Sequence, residues 1–317
     1  MPCDDTAGFR TAGDHHADGR HRADDRHRAD GSPEPGDWHV LAGLDDFLAR
    51  AGAFLRSEPA LHTVPLTVTE ALRTRGPHVH GDGAPEFGVL EREGAVRAAF
   101  LRTPPHRLHL TSATGAQAEA LAARLADPGR PLPGVIAGRR TAAAFAGAWR
   151  HRTGATVTLH KEQRLYRLGT LTVPRPSPPG RPRTAGPADR DHLVRWYGEF
   201  CAAVGETAVR APAAWADARI ERGDVTFWEG PDGAPAAMAC TTPEIAGQVR
   251  VGGVYTPPGL RGRGCAGAAT AAASRAALAA GAREVLLFTD LADPVANRLY
   301  RRIGYRPVAD FAVYDFG

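Results

Sequence analysis

Two segments of the chain bring together residue types that do chemistry. The first, Thr256-Pro257-Pro258-Gly259-Leu260-Arg261-Gly262-Arg263-Gly264-Cys265-Ala266-Gly267, leaves an apolar run and enters an alanine-rich one. That pattern describes an anion cradle: glycines let a phosphate approach the backbone, and the first amides of the following helix have no intrachain acceptor. The helix dipole adds partial positive charge at the same place. Arg261 and Arg263 can add charge-assisted hydrogen bonds to a pyrophosphate or a ribose phosphate. The second segment runs from Thr289 to Tyr305. Asp293 suits an N-cap and Pro294 a first helical turn, which sets Asn297, Tyr300 and Arg301 within one turn of each other. Without the first segment this would read as an ordinary amphipathic helix, with Leu299 and Ile303 inward and Gly304 as its stop.

A phosphate cradle needs a strand before it and a helix after it. Residues 248–256 supply the strand and residues 265–280 the helix, closed by Gly281. An apolar strand at 284–289, a helix at 294–303 and a strand at 306–314 complete the C-terminal third. Upstream lie strands at 225–229 and 236–242, joined through the turn Gly230-Pro231-Asp232-Gly233. They are preceded by a helix at 189–206, with Asp189 as N-cap, and a second helix opened by Pro212. The Arg-x-x-Gly-x-Ala spacing recurs at Arg183, Gly186 and Ala188, but no strand is expected there and Pro187 removes an amide. The phosphate role therefore falls to the C-terminal copy.

The rest of the chain divides by composition. Residues 1–36 repeat a His-Arg-Ala-Asp theme, hold almost no large apolar side chain and are expected to be a disordered tail. From Trp38, apolar residues recur at helical spacing through Leu55. Two strands at 86–91 and 95–101 flank the turn Arg92-Glu93-Gly94, and a third follows at 107–111. Helices at 116–126 and 140–152 then alternate with strands near Val135 and at 157–160 and 164–168. Six prolines and two glycines between residues 174 and 187 mark a linker. The expected organisation is a tail (1–36), an N-terminal domain (37–173), the linker (174–187) and a C-terminal domain (188–317). The fold class is α+β, with a mixed, mostly antiparallel sheet flanked by helices.

Composition narrows the function classes. With 39 basic and 35 acidic residues the net charge is only +4, and the basic residues are dispersed, so no nucleic-acid partner is expected. Only Lys161 among the basic residues is a lysine, a bias that reads as codon usage in a GC-rich genome. Cys3, Cys201, Cys240 and Cys265 form no CxxC pair, which points away from a disulfide framework or zinc site and toward a reducing cytoplasm. No run approaches the ~18 apolar residues that span a bilayer, so no membrane partner is expected. A dinucleotide oxidoreductase does not fit, because the strands before the loop read as antiparallel and no acidic residue closes a strand ~20 residues on.

In this order, separated by one helix and one strand, the two segments resemble the Gcn5-related N-acetyltransferase (GNAT) superfamily. The run through Val254-Tyr255-Thr256, Arg261-Gly262-Arg263-Gly264, Thr289-Asp290, Asn297, Tyr300 and Ile303-Gly304-Tyr305 is similar to a bacterial two-domain branch with a divergent N-terminal half. Weaker resemblance extends back to Trp38, through Gly134-Val135, Phe145, Trp149 and Tyr166-Arg167-Leu168. The resemblance implies a degenerate GNAT-like N-terminal domain and an acetyl-CoA-dependent N-acyltransferase working by direct transfer in a ternary complex, without a metal. It implies that Val254, Tyr255 and Thr256 bind the pantetheine arm through their backbone. Arg261, Gly262, Arg263, Gly264, Cys265, Ala266 and Gly267 would hold the pyrophosphate, Asn297 would contact the coenzyme and Tyr300 would be the general acid. A phenol with pKa ~10 can protonate a departing thiolate of pKa ~8.5 if correctly placed.

Cys265 and Asp293 depart from the branch, where tyrosine and asparagine are usual; Cys265 reads as a packing residue rather than a nucleophile. No general base is identifiable: Glu199, Glu206, Glu229 and Glu244 are the acids at hand, each expected on the solvated surface. Trp196, Tyr197 and Trp228 would line an acceptor pocket or fill the core. The amine acceptor is not specified, association into a homo-oligomer stays open, and a non-catalytic CoA-binding sensor is the alternative.

Overall fold

The computed structural model describes residues 37–126, 131–205 and 211–317. The expected tail at 1–36 and Glu206 lie outside them. The first described element departs from expectation. Residues Asp37–Leu41 form strand β1, and the helix foreseen from Trp38 begins only at Leu44 (α1, Leu44–Ser57). Gly43 interrupts the apolar period, and Asp45 and Asp46 favour a helix start there by their interaction with the dipole. Trp38 turns inward against Phe100, its indole donating to the Gln117 carbonyl at 2.9 Å.

A second helix, α2 (Thr63–Arg75), was hidden by its threonines and by Pro65. Threonine is a weak helix former, and proline is tolerated only in a first turn, where it stands here. The half continues through β2 (Glu86–Arg92), β3 (Ala95–Arg102), β4 (Leu108–Leu110), α3 (Gly115–Leu125), β5 (Gly134–Gly138), α4 (Arg139–Thr153) and β6 (Val157–Leu168). β6 is one continuous strand where two were expected. The proline-rich stretch read as a linker carries β7 (Arg181–Thr184), which pairs antiparallel with β8 (Val225–Glu229). Pro182 fits because β7 is the last strand of the sheet, where a missing amide need break no ladder.

The chain then forms α5 (Arg190–Ala203), α6 (Pro212–Arg222), β8, β9 (Pro235–Thr241), β10 (Gln248–Tyr255), α7 (Cys265–Ala279), β11 (Glu284–Asp290), α8 (Pro294–Arg302) and β12 (Tyr305–Phe316). Asp189 stands at the α5 N-cap position, yet its carboxylate is taken by Arg183 and the Gly186 amide rather than by the helix.

All twelve strands among the described residues belong to one sheet, in the order β1-β2-β3-β4-β5-β12-β6-β11-β10-β9-β8-β7. Matching β1–β6 with β7–β12 one for one turns this order into its own reverse, so the two halves repeat one unit about the β6–β12 pair. In each half one parallel pair, β4 with β5 and β10 with β11, interrupts an antiparallel sheet. The last strand of each half crosses into the other. β6 lies between β11 and β12, and β12 lies between β5 and β6. The cores record the exchange: Ala312 of β12 joins the core of the first half, and Tyr166 of β6 joins that of the second.

β12 starts from a constrained turn. Gly304 has φ +105°, and a Cβ built there would lie 2.0 Å from the Thr170 carbonyl oxygen. We predict that Gly304→Ala lowers stability by about 3 kcal/mol or more, since it combines backbone strain with a clash against main chain. A urea midpoint within experimental error of wild type would contradict that close approach.

Candidate active site

The motif segments sit at the ends of one parallel strand pair. β10 and β11 pair only from Gln248 opposite Glu284 to Val251 opposite Leu287. Beyond that point β10 runs on to Tyr255 and β11 to Asp290 without pairing to each other. On its other edge, β10 shifts register against β9 between Gly252 and Tyr255, and Gly253 takes φ +57°. The glycines permit this bend, which opens a wedge and frees the β11-facing backbone of Val254. A cavity of about 640 Å³ occupies the wedge, lined by Gly252, Gly253 and Val254 on one side and Phe288, Thr289 and Asp290 on the other.

After β10 the chain turns through Arg261, Gly262 and Arg263 into α7. Gly262 and Gly264 both hold left-handed φ, +77° and +83°, and Gly264 is the N-cap without a side-chain hydrogen bond. No other described residue accepts a hydrogen bond from the amides of residues 262–267. The equivalent helix of the first half is closed. At α3, Thr114 accepts from the Gln117 amide (3.3 Å) and the Gln117 side chain accepts from the Thr114 amide (2.9 Å), a complete capping box. Of two helices in the same place in the repeat, α3 folds its own side chains over its N-terminus, whereas α7 has no side-chain cap between its first amides and an incoming anion.

The two arginines of the loop brace it. Arg261 Nε donates to the Thr256 carbonyl and Arg263 Nη2 to the Gly259 carbonyl, both at 3.1 Å, which leaves their other donors for a ligand. The Thr256 hydroxyl is buried without a protein partner. Further into α7 the roles are structural. Cys265 is buried in the core, where burial pushes its thiol up and keeps it neutral, against a nucleophilic role. A Cβ at Gly267 would lie 2.8 Å from Leu299 Cδ1, so this glycine lets α8 pack closely against α7. Ala266 accepts the Thr270 hydroxyl at its carbonyl, leaving its amide free.

α8 carries the other expected residues. Asp293 caps it as foreseen, accepting from the amides of Val295 and Ala296. The Asn297 side chain is fully engaged: Nδ2 donates to the carbonyls of Asp290 and Asp293, both at 2.7 Å, and Oδ1 accepts from the Tyr166 hydroxyl at 2.9 Å. It fastens the β11–α8 connection to β6, and a ligand contact from its amide would displace one of these bonds. Tyr300 lines the wedge cavity on the same side as Ala296, with its ring edge against Tyr305. No described residue hydrogen-bonds its hydroxyl. Burial, and secondarily the charge of Asp293, hold this phenol above its ordinary pKa. Tyr255 points elsewhere, donating to Glu199 at 2.8 Å and packing against Trp196, and it does not line the wedge.

None of the described acids considered as a base enters the cavity. Glu199 holds Tyr255. Glu229 is clamped by Arg183 and Arg181, which keep its carboxyl below the usual range. Glu244 caps the Gly247 amide. Trp196, Tyr197 and Trp228 are core residues, Tyr197 stacking on Trp215 at 4.3 Å. The cavity instead receives Phe200 and Val204 from the end of α5, the carboxylates Asp290 and Asp293, and Lys161 and Gln163 from β6. The last two lie more than ninety residues upstream of the motifs, and no spacing rule reaches them. They arrive because β6 pairs with β11, setting Gln163 opposite Asp290.

Residues 191–305 match the Acetyltransferase (GNAT) family profile. These residues carry a GNAT-type domain. Its fold over most of its length is shared with solved GNAT structures. A GCN5-related N-acetyltransferase from Sphaerobacter thermophilus aligns with TM-score 0.59 at 18% identity, over 89% of this chain and 95% of that one. A GNAT-family acetyltransferase from Colwellia psychrerythraea aligns with TM-score 0.56 at 11% identity, covering 89% and 100%. A tandem GNAT protein from the clavulanic acid biosynthesis pathway aligns with TM-score 0.54 at 16% identity, covering 89% and 98%. No curated protein matches the sequence. The repeat about β6 and β12 makes both halves GNAT-like, with the open helix N-terminus only in the second. In the first half the segment in the place of the α7 loop, between β4 and α3, is residues 111–114.

Proposed function

We propose that this GNAT protein transfers an acetyl or other short acyl group from acyl-CoA to a primary amine, with both substrates bound in the β10–β11 wedge. The observation that carries this is the contrast between α7 and α3: one helix N-terminus has no side-chain cap and lies beside a wedge lined by the Tyr300 phenol, and its counterpart is capped by its own side chains. The thioester supplies the activated acyl group. Amides of residues 262–267 would hold the diphosphate, and the unpaired backbone near Val254 would align the thioester and donate to its carbonyl oxygen as charge develops there. The Tyr300 hydroxyl would give its proton to the departing sulfur. Asp290 and Asp293 are the carboxylates placed to attract the acceptor ammonium and to take up its proton, directly or through water.

Incubation of the purified protein with acetyl-CoA and a panel of amines, following free thiol, tests the reading. Amine-dependent thiol release abolished by Tyr300→Phe is expected. Coenzyme binding with no release for any amine class would contradict catalysis. The raised pKa of Tyr300 has its own consequence. A phenol held above ~10 stays protonated as pH rises through 9, so the acid form is not lost there. The kcat profile is therefore expected to show no descending limb between about pH 7 and 9.5. A fall in that window that disappears in Tyr300→Phe would contradict the environment described.

A further inference from the structure

A diphosphate held at the α7 N-terminus has two ends, and only one leads along β10 to Tyr300. A groove of about 710 Å³ that also opens on Gly264 offers a course for the other. One wall of that groove is α8, through Leu299 and Ile303, and the other is the proline-rich strap of residues 171–178. No acid lines it. Its two charges are Arg175 on the strap and Arg302 on α8, both exposed and neither in an ion pair or hydrogen bond with a described residue.

The strap is fixed over the site. At one end the Thr172 amide donates to the Ile303 carbonyl at 3.0 Å, and at the other the Trp228 indole donates to the Pro179 carbonyl at 3.2 Å. Pro178 approaches to 3.9 Å of a Cβ built on Gly264, and Pro174 to 3.7 Å of one built on Gly267. Its prolines cost little further entropy to hold in place, so the wall and the backbone that carries Arg175 are preorganised. Apolar walls with two unneutralised guanidinium groups suit a heterocycle carrying a phosphate monoester.

We propose that the strap is the outer wall of the adenosine end of the coenzyme site. Arg175 and Arg302 bind the ribose 3′-phosphate there, so that the protein selects coenzyme A over its 3′-dephospho form. This rests on the acyl-CoA reading above and adds a segment that lies outside the family-matched residues 191–305. Calorimetric titration with coenzyme A and with 3′-dephospho-coenzyme A tests it in wild type, Arg175→Ala, Arg302→Ala and the double variant. Wild type is expected to prefer coenzyme A by about tenfold or more, as loss of charge-assisted contacts implies. The preference should fall toward unity in the double variant, with affinity for the dephospho form unchanged. Both arginines are exposed and unpartnered, so the variants should fold, which their thermal midpoints check. Equal wild-type affinity for the two ligands, or a preference that survives the double variant, would overturn the strap's role while leaving the acyl-CoA reading intact. Binding of neither ligand would overturn the acyl-CoA reading and the strap's role with it.

Discussion

Tyr300→Phe is expected to lower kcat by about 10²–10⁴-fold while changing coenzyme affinity by less than about twofold. The size follows from the position of the hydroxyl. It lines the wedge, has no hydrogen-bond partner among the described residues and belongs to a ring whose packing against Tyr305 a phenylalanine would keep. The substitution removes one oxygen and no described hydrogen bond, so stability should move by only a few tenths of a kcal/mol. An interaction made only as sulfur departs lowers kcat and kcat/KM together, and that pattern is the expected signature. Steady-state kinetics beside calorimetry decides it. Unchanged turnover would remove Tyr300 from the chemistry, and a large loss of affinity would make it a binding residue instead.

Gly264→Asp is expected to weaken coenzyme binding by about 100-fold or more, because it places a carboxylate where the amides of residues 262–267 would meet a diphosphate. Asp tolerates left-handed φ better than most residues, and a Cβ here meets nothing closer than Pro178 at 3.9 Å. The stability cost should therefore stay near 1–2 kcal/mol. Thr114→Ala is the control. It removes the cap of α3, at a cost of about 1 kcal/mol, and should leave coenzyme affinity untouched. If both variants weaken binding equally, the two halves are not divided as the capping pattern implies.

The cradle was legible because its physics is local. Glycines at 262 and 264 and the apolar runs on either side specify strand, turn and helix without reference to the rest of the chain. Asp293 as N-cap of α8 was legible for the same reason. What escaped was whatever depends on distant pairing. β6 was read as two strands of a separate domain, because nothing in residues 157–168 shows that they will lie between β11 and β12. With it went Lys161 and Gln163, whose place in the cavity follows from that register alone. Residues 174–187 were read as linker on proline count, yet the last edge of a sheet tolerates proline, so β7 was missed. Asn297 adds a second lesson: the sequence pattern points to it by resemblance, and only the structure shows its amide engaged by Asp290, Asp293 and Tyr166.

Hydrogen exchange at the individual amides of residues 262–267, with and without coenzyme A, tests the central claim most directly. Those amides have no acceptor among the described residues and should exchange quickly alone, then become protected when the coenzyme is added, while the first-turn amides of α3 do not change. Protection that appears elsewhere, or none at saturating coenzyme, would contradict the account.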